Sequence, residues 1–119
     1  MEITVLQKAV EQYIEAFAKA DVTIIQNLFA DDAIIEDPVG SPVRKGMAEI
    51  TEFYQGAFAS GAKLVLNGKP RCAGNSVAFN FDVVMDGLKI SPIDVFELNS
   101  EGKIQNMKAY WGPDNMIQG

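Results

Sequence analysis

The segment SVAFNFDVVMDGLKISPIDVFEL, residues 76–98, decides the fold class of this chain. Apolar and polar residues alternate through its first ten positions, which predicts a strand with one buried face. That face carries Val77, Phe79, Phe81, Val83 and Met85. Asp86-Gly87 then gives a strong hairpin signal, and KISPIDVFEL predicts the returning strand. With the turn NSEGK and the strand KIQNMKAYW, the second half of the chain predicts an antiparallel meander.

The first half of the chain has the periodicity of three amphipathic helices. TVLQKAVEQYIEAFAKA predicts the first, with a capping box between Thr4 and Gln7. Asp21 predicts the N-cap of a short second helix, and GMAEITEFYQGAFASG predicts a third. The segment ADDAIIED between them predicts a short extended piece. Helices followed by strands predict an α+β fold, with three helices packed on one face of a strongly curved, mostly antiparallel sheet, as one domain over residues 1–119.

Composition excludes several classes of function. The net charge of −6 disfavours binding to nucleic acids and to anionic membranes. The chain has no histidine, which excludes Ser-His-Asp and Cys-His catalysis and, with one cysteine, most zinc sites. Cys72 allows no internal disulfide, and no signal peptide or membrane span is predicted, so we expect a cytoplasmic protein without a metal. Any acid–base chemistry must use Asp, Glu, Tyr or Lys.

Three polar residues lie in apolar surroundings. Strand alternation places Asp94 on the same face as Phe96 and Leu98, where burial would favour its protonated form. Tyr13 lies on the apolar stripe of the first helix, and Asp37 ends an apolar run immediately before a proline. Each also has a simpler interpretation. Asp94 could be a solvated strand residue, Tyr13 a core tyrosine, and Asp37 the end of a strand that reaches the surface.

Five segments together resemble bacterial ketosteroid isomerases, within the SnoaL-like superfamily of cone-shaped folds. They are YIEAF, FADDAIIEDPVG, GMAEITEFY, PIDVFEL and GKIQNMKAYW, in this order over nearly the whole chain. The resemblance implies a cone with an apolar pocket and a cofactor-independent isomerase that moves a C=C bond of a 3-oxo steroid into conjugation. It also implies a small apolar ketone as the substrate and a homodimer, for which Ile93 and Val95 on the outer sheet face would suit the interface.

The resemblance also implies a role for each site residue. Asp37 would be the general base, while Tyr13 and a protonated Asp94 would donate hydrogen bonds to the dienolate oxygen; this enzyme is a known case of a carboxylic acid held neutral. Trp111 would support the Asp37 carboxylate. The substrate-binding residues implied are Phe17, Phe53, Tyr54, Val77, Phe79, Met107 and Trp111.

The sequence departs from the family pattern near the expected site. Phe29 stands where a relative has a tyrosine, so we expect a modest change in the hydrogen-bond network around Tyr13 and Tyr54. Ser91 stands where a relative has an aspartate, and Pro92 is unusual within a strand.

Other functions of the same fold remain alternatives. A polyketide cyclase would also use an acid in an apolar cone, and an epoxide hydrolase would need an Asp-Arg-Asp set. Arg44 and Arg71 are the only arginines, and neither is predicted at an inward-facing strand position, which disfavours the hydrolase. A non-catalytic carrier of apolar ligands would keep the pocket without needing three convergent polar groups.

Overall fold

Three helices pack against one face of a nine-stranded, mostly antiparallel sheet in the computed structural model, which describes residues 1–118. The helices are α1 Ile3–Lys19, α2 Val22–Leu28 and α3 Met47–Ala59. The strands are β1 Phe29–Glu36, β2 Arg44–Lys45, β3 Lys63–Leu66, β4 Arg71–Ala73, β5 Ser76–Met85, β6 Leu88–Ile90, β7 Ile93–Leu98, β8 Ile104–Tyr110 and β9 Met116–Gln118. The predicted α+β fold class is confirmed.

The helix boundaries confirm one predicted cap and contradict the other. Asp21 caps α2, and its side chain accepts a hydrogen bond from the backbone N–H of Thr23. The N-cap of α1 is Glu2, and no side chain caps that end of the helix. The predicted capping box is therefore wrong, because Thr4 and Gln7 both lie inside the helix.

The apolar stripes of the helices form the core with the sheet. The helical spacing predicts one apolar stripe on α1, formed by Leu6, Val10, Tyr13, Ile14 and Phe17. All of them are buried except Ile14, which is half-buried. In α3, only Ile50 and Tyr54 are fully buried, while Met47, Phe53 and Phe58 are half-buried. These five residues are the ones whose helical spacing predicts a single apolar side of α3. That side does face the core, but neighbouring elements leave part of it uncovered.

The long strand β5 organises the sheet, whose order is β2-β1-β8-β7-β5-β6-β9. One edge of β5 pairs with β7 and then β6, while the other pairs with β4 and then β3. The β5–β6 hairpin turns at Asp86-Gly87, with Met85 opposite Leu88, which confirms the predicted turn. Gly87 has φ +75°, which glycine adopts without steric cost.

The structure corrects the predicted meander in two ways. The segment ADDAIIED lies in β1 as far as Glu36, and β1 pairs parallel to β8, so the sheet is mixed. The predicted strand KISPIDVFEL is broken between β6 and β7 at Ser91 and Pro92, because proline has no N–H for the ladder. The short strands β2, β3, β4 and β9 were not predicted, since they are too short to show a period of two.

Candidate active site

Two carboxyl groups are brought to one face of the sheet by its strand pairing. Asp94 on β7 lies directly opposite Ala109 on β8, so their side chains share a face. On the other side of β8, the N–H of Val39 donates to the Ala109 carbonyl at 2.8 Å, which holds the segment after β1 beside the same residue. Asp37 therefore lies across Ala109 from Asp94. The methyl side chain of Ala109 leaves open space between the two acids.

Two tyrosines reach this space from the helices. The Tyr13 hydroxyl on α1 lies 3.0 Å from the Tyr54 hydroxyl on α3, and both residues are buried. Burial is the main cause that raises the pKa of both phenols well above the usual value, so both hydroxyls keep their protons. The hydrogen bond between the two hydroxyls uses the proton of only one of them. The proton of the accepting hydroxyl is free to be donated to another group.

An apolar cavity of about 190 Å³ connects these groups. One water needs about 10–15 Å³ on the same measure, so the cavity has room for an organic ligand. Its lining consists of Tyr13, Phe17, Asp37, Phe53, Tyr54, Ala57, Ser60, Ala62, Leu64, Phe81, Val83, Met85, Ile90, Pro92, Asp94, Ala109 and Trp111. All three predicted catalytic residues, Tyr13, Asp37 and Asp94, thus line one cavity.

Four of the seven predicted substrate-binding residues also line the cavity: Phe17, Phe53, Tyr54 and Trp111. The other three, Val77, Phe79 and Met107, do not line it and are fully buried in the core. Val77 and Met107 each lie opposite Phe96 in the sheet, and the Phe79 ring packs edge-on against the Phe96 ring.

Part of the cavity wall that was not predicted from the sequence is formed by the second half of β5. Phe81, Val83 and Met85 line the cavity, although they share a face with Val77 and Phe79. Strand alternation identifies that face but does not tell how far along the strand the helices cover it. The switch from core to cavity wall is therefore a tertiary property. Ala109 was also missed, because a small apolar residue gives no chemical signal in the sequence.

Asp94 lies in surroundings that favour its protonated form. Its side chain is 1% exposed, and its Oδ1 has no hydrogen-bond partner within residues 1–118. Burial is the main cause that raises the pKa of Asp94 well above its usual value, and the negative charge of Asp37 raises it further. The Tyr13 hydroxyl acts in the opposite direction. The Oδ1 atom that has no partner leaves this carboxyl group able to form a hydrogen bond with a ligand oxygen in the cavity.

Asp37 has a different environment, which keeps it easier to ionise. Burial raises the pKa of Asp37, but the Trp111 indole N–H donates to its Oδ1 at 2.8 Å and lowers the pKa. The positive charge of Arg44 lowers it as well. The cavity thus contains two acids whose surroundings separate their pKa values, an arrangement typical of acid–base sites.

The position of Arg44 differs from the sequence prediction. Arg44 on β2 is the cross-strand partner of Ile35, which is fully buried, so its side chain lies on the inward face. Its guanidinium carbon lies 4.5 Å from the centroid of the Phe53 ring. The prediction failed because β2 has only two residues, too few for an alternating pattern.

The two departures from the family pattern have different structural settings. Phe29 is buried with its ring centroid 5.6 Å from that of Tyr54, so it packs against the tyrosine pair and cannot extend its hydrogen bonding. Ser91 is exposed, and its hydroxyl donates to Asp82 Oδ1 at 2.7 Å outside the cavity.

The family model described as SnoaL-like domain matches residues 10–107. The chain belongs to the SnoaL-like domain family. A curated steroid Delta-isomerase of Nocardioides simplex is 38% identical over 117 residues, which cover 94% of each chain. A solved structure of the epoxide hydrolase/cyclase-like enzyme SalBIII, described for pyran ring formation in polyether salinomycin, matches with a TM-score of 0.88. It is 31% identical and also covers 94% of each chain.

Two features are absent from residues 1–118. No helix there is long and apolar enough to span a membrane. No group of three or more acidic or cysteine side chains in that range could hold a metal ion. The cavity brings together two carboxyl groups, two tyrosine hydroxyls and apolar walls, which are groups suited to moving a proton and stabilising an oxyanion.

Proposed function

We propose that this SnoaL-like protein is a steroid Δ-isomerase that moves a β,γ C=C bond of a 3-oxo steroid into conjugation with the ketone. One observation carries the proposal: the carboxyl groups of Asp37 and Asp94 and the hydroxyl of Tyr13 line the same apolar cavity. The similarity to the Nocardioides simplex steroid Delta-isomerase supports the choice of reaction.

In the proposed reaction Asp37 moves one proton twice. Its carboxylate takes the proton from the carbon between the ketone and the double bond, which leaves a dienolate and a protonated Asp37. The same proton is then returned to the far carbon of the dienolate, and the C=C bond shifts into conjugation. The base is regenerated within one turnover, so the reaction requires no cofactor.

Asp94 and Tyr13 would stabilise the dienolate oxygen. Asp94 Oδ1 has no hydrogen-bond partner within residues 1–118, and the Tyr13 proton becomes free when Tyr54 donates to Tyr13. Both donors lie in a site with few polar groups, where preorganised hydrogen bonds to a developing negative charge contribute several kcal/mol. Because Phe29 has no hydroxyl, this chain of donors ends at Tyr54.

The test is ultraviolet absorbance of the conjugated enone formed from 5-androstene-3,17-dione. We expect isomerisation by the wild type and a loss of kcat of at least about 10³-fold in Asp37→Asn, because the amide cannot take the proton. Glu36→Gln is the matched control, since Glu36 bonds the Gly40 N–H outside the cavity and should leave the rate nearly unchanged. Equal rates in Asp37→Asn and wild type would exclude Asp37 as the base.

An epoxide hydrolase or cyclase is the second candidate. It is favoured by the inward position of Arg44, which supplies an acid–arginine–acid composition near the cavity, and by the likeness to SalBIII. An epoxide substrate assayed beside the enone substrate separates the two: ring opening without isomerisation would favour the hydrolase or cyclase.

We also propose that the protein forms a homodimer through the outer face of the sheet. Ile93 is 44% exposed and lies opposite Tyr110, which is 47% exposed, so an apolar pair faces outward there. Size-exclusion chromatography with light scattering should give twice the mass of 13.0 kDa. Ile93→Glu should return the mass of one chain, whereas Glu97→Gln on the same strand should not.

A further inference from the structure

Arg44 carries a positive charge next to the cavity without a carboxylate partner. Among residues 1–118, the one ion pair within 4.0 Å joins Lys19 and Glu15, far from β2 in the sequence. Two other acids close to Arg44 in the chain are used elsewhere: Glu36 accepts from the Gly40 N–H, and Glu49 accepts from the Lys45 N–H. The guanidinium therefore has no local partner that neutralises its charge.

The position of this guanidinium is fixed from two directions. The pairing of Arg44 with Ile35 sets the side chain on the inward face, two residues before Asp37 on the neighbouring segment. The Phe53 ring, which lines the cavity, holds the guanidinium at 4.5 Å in a cation–π contact. Such contacts stabilise an arginine in one orientation, because a planar guanidinium stacks on an aromatic face.

We propose that Arg44 is a positioning residue for Asp37: held on the face of Phe53, it supplies the positive charge that keeps the Asp37 carboxylate ionised beside an apolar cavity. The proposal rests on the proposed role of Asp37 as the base. The charge of Arg44 lowers the pKa of Asp37 against the effect of burial, whereas the pKa of Asp94 is raised by burial and by Asp37.

The other groups around Asp37 cannot supply this charge. The titratable residues that face it in the cavity are Asp94 from β7, Tyr13 from α1 and Tyr54 from α3, and each is neutral or negative. Trp111 contributes a hydrogen bond but no charge. Among the residues described, Arg44 is the positive group whose charge lowers the pKa of Asp37.

The test measures Asp37 ionisation without relying on activity. Trp111 is the only tryptophan, so its indole N–H gives a single resonance, and the acceptor of that N–H is Asp37. The resonance should move with pH as Asp37 titrates, and this step should be absent in Asp37→Asn. In Arg44→Gln and Arg44→Met the midpoint should move to higher pH, whereas in Arg44→Lys, which keeps the charge, it should move less.

The same variants should change the rate only where Asp37 is partly protonated. On the acid limb of the kcat/KM profile we expect a loss of about threefold or more in Arg44→Gln, with little loss on the plateau. Coincident indole titrations of wild type, Arg44→Gln and Arg44→Met would overturn the role of Arg44, whatever the rates. If the indole midpoint moves in these variants but the wild type does not isomerise the steroid, the role of Arg44 stands and the proposed function fails.

Discussion

If Asp94 is protonated in the folded protein, the free energy of unfolding must depend on pH in a way that can be measured without substrate. The perturbation is Asp94→Asn, which keeps the size of the side chain and removes the proton equilibrium. Asp94 is 1% exposed and its pKa in the folded state is raised by burial and by Asp37. In the unfolded chain an aspartate has a pKa of about 3.9. Above that pH the folded protein therefore holds one proton more than the unfolded chain.

The magnitude follows from that one proton. A group with a raised pKa in the folded state contributes its stability fully below the unfolded pKa, and the contribution falls as pH rises towards the folded pKa. The slope for one extra proton is about −1.4 kcal/mol in the free energy of unfolding per pH unit. Relative to Asp94→Asn, the wild type should therefore lose about 2.8 kcal/mol between pH 5 and pH 7 while Asp94 keeps its proton.

Urea denaturation at pH 5, 6 and 7 measures this difference, with the m-value checked for a two-state transition. The pKa of Asp37 is raised as well, so Asp37 adds a pH slope of the same sign to the free energy of unfolding of both the wild type and Asp94→Asn. Asp37→Asn is the control that measures this contribution. If the free energies of wild type and Asp94→Asn change in parallel between pH 5 and pH 7, Asp94 is ionised in the folded protein. That result would remove it as a hydrogen-bond donor.

Three further changes test the geometry of the cavity. Trp111→Phe removes the N–H that donates to Asp37, so the acid limb of kcat/KM should move to higher pH. The value of kcat/KM should also fall about tenfold or more. An unchanged pH profile would contradict a role for this hydrogen bond. Ala109→Leu fills the space between Asp37 and Asp94, and kcat/KM should fall about 100-fold while the protein stays folded by circular dichroism; retained activity would show that the substrate does not bind between the acids. Phe29→Tyr places a hydroxyl near Tyr54, and kcat should rise by less than about tenfold; a large loss would mean that Phe29 is needed as packing.

Most of the architecture could be predicted from local sequence. The period of two in residues 76–85, the Asp86-Gly87 turn and the helical stripes all correspond to elements of the structure. These signals are reliable because the pattern of buried side chains follows the geometry of each element. The parallel pairing of β1 with β8 had no such signal, since the choice of a partner strand depends on residues far apart in the chain.

The sequence alone determined which residue types could carry the chemistry, because a chain without histidine leaves acid–base work to carboxylates and phenols. It also identified Asp94 as an acid on an apolar face and Asp37 as an acid at the end of an apolar run. Only the tertiary structure decided that Ala109 separates them, that β5 changes from core to cavity wall between Phe79 and Phe81, and that Arg44 lies on the inward face. The physical reason is that electrostatic environment and open volume arise from neighbours on other elements, whereas periodicity reports only the face on which a side chain lies.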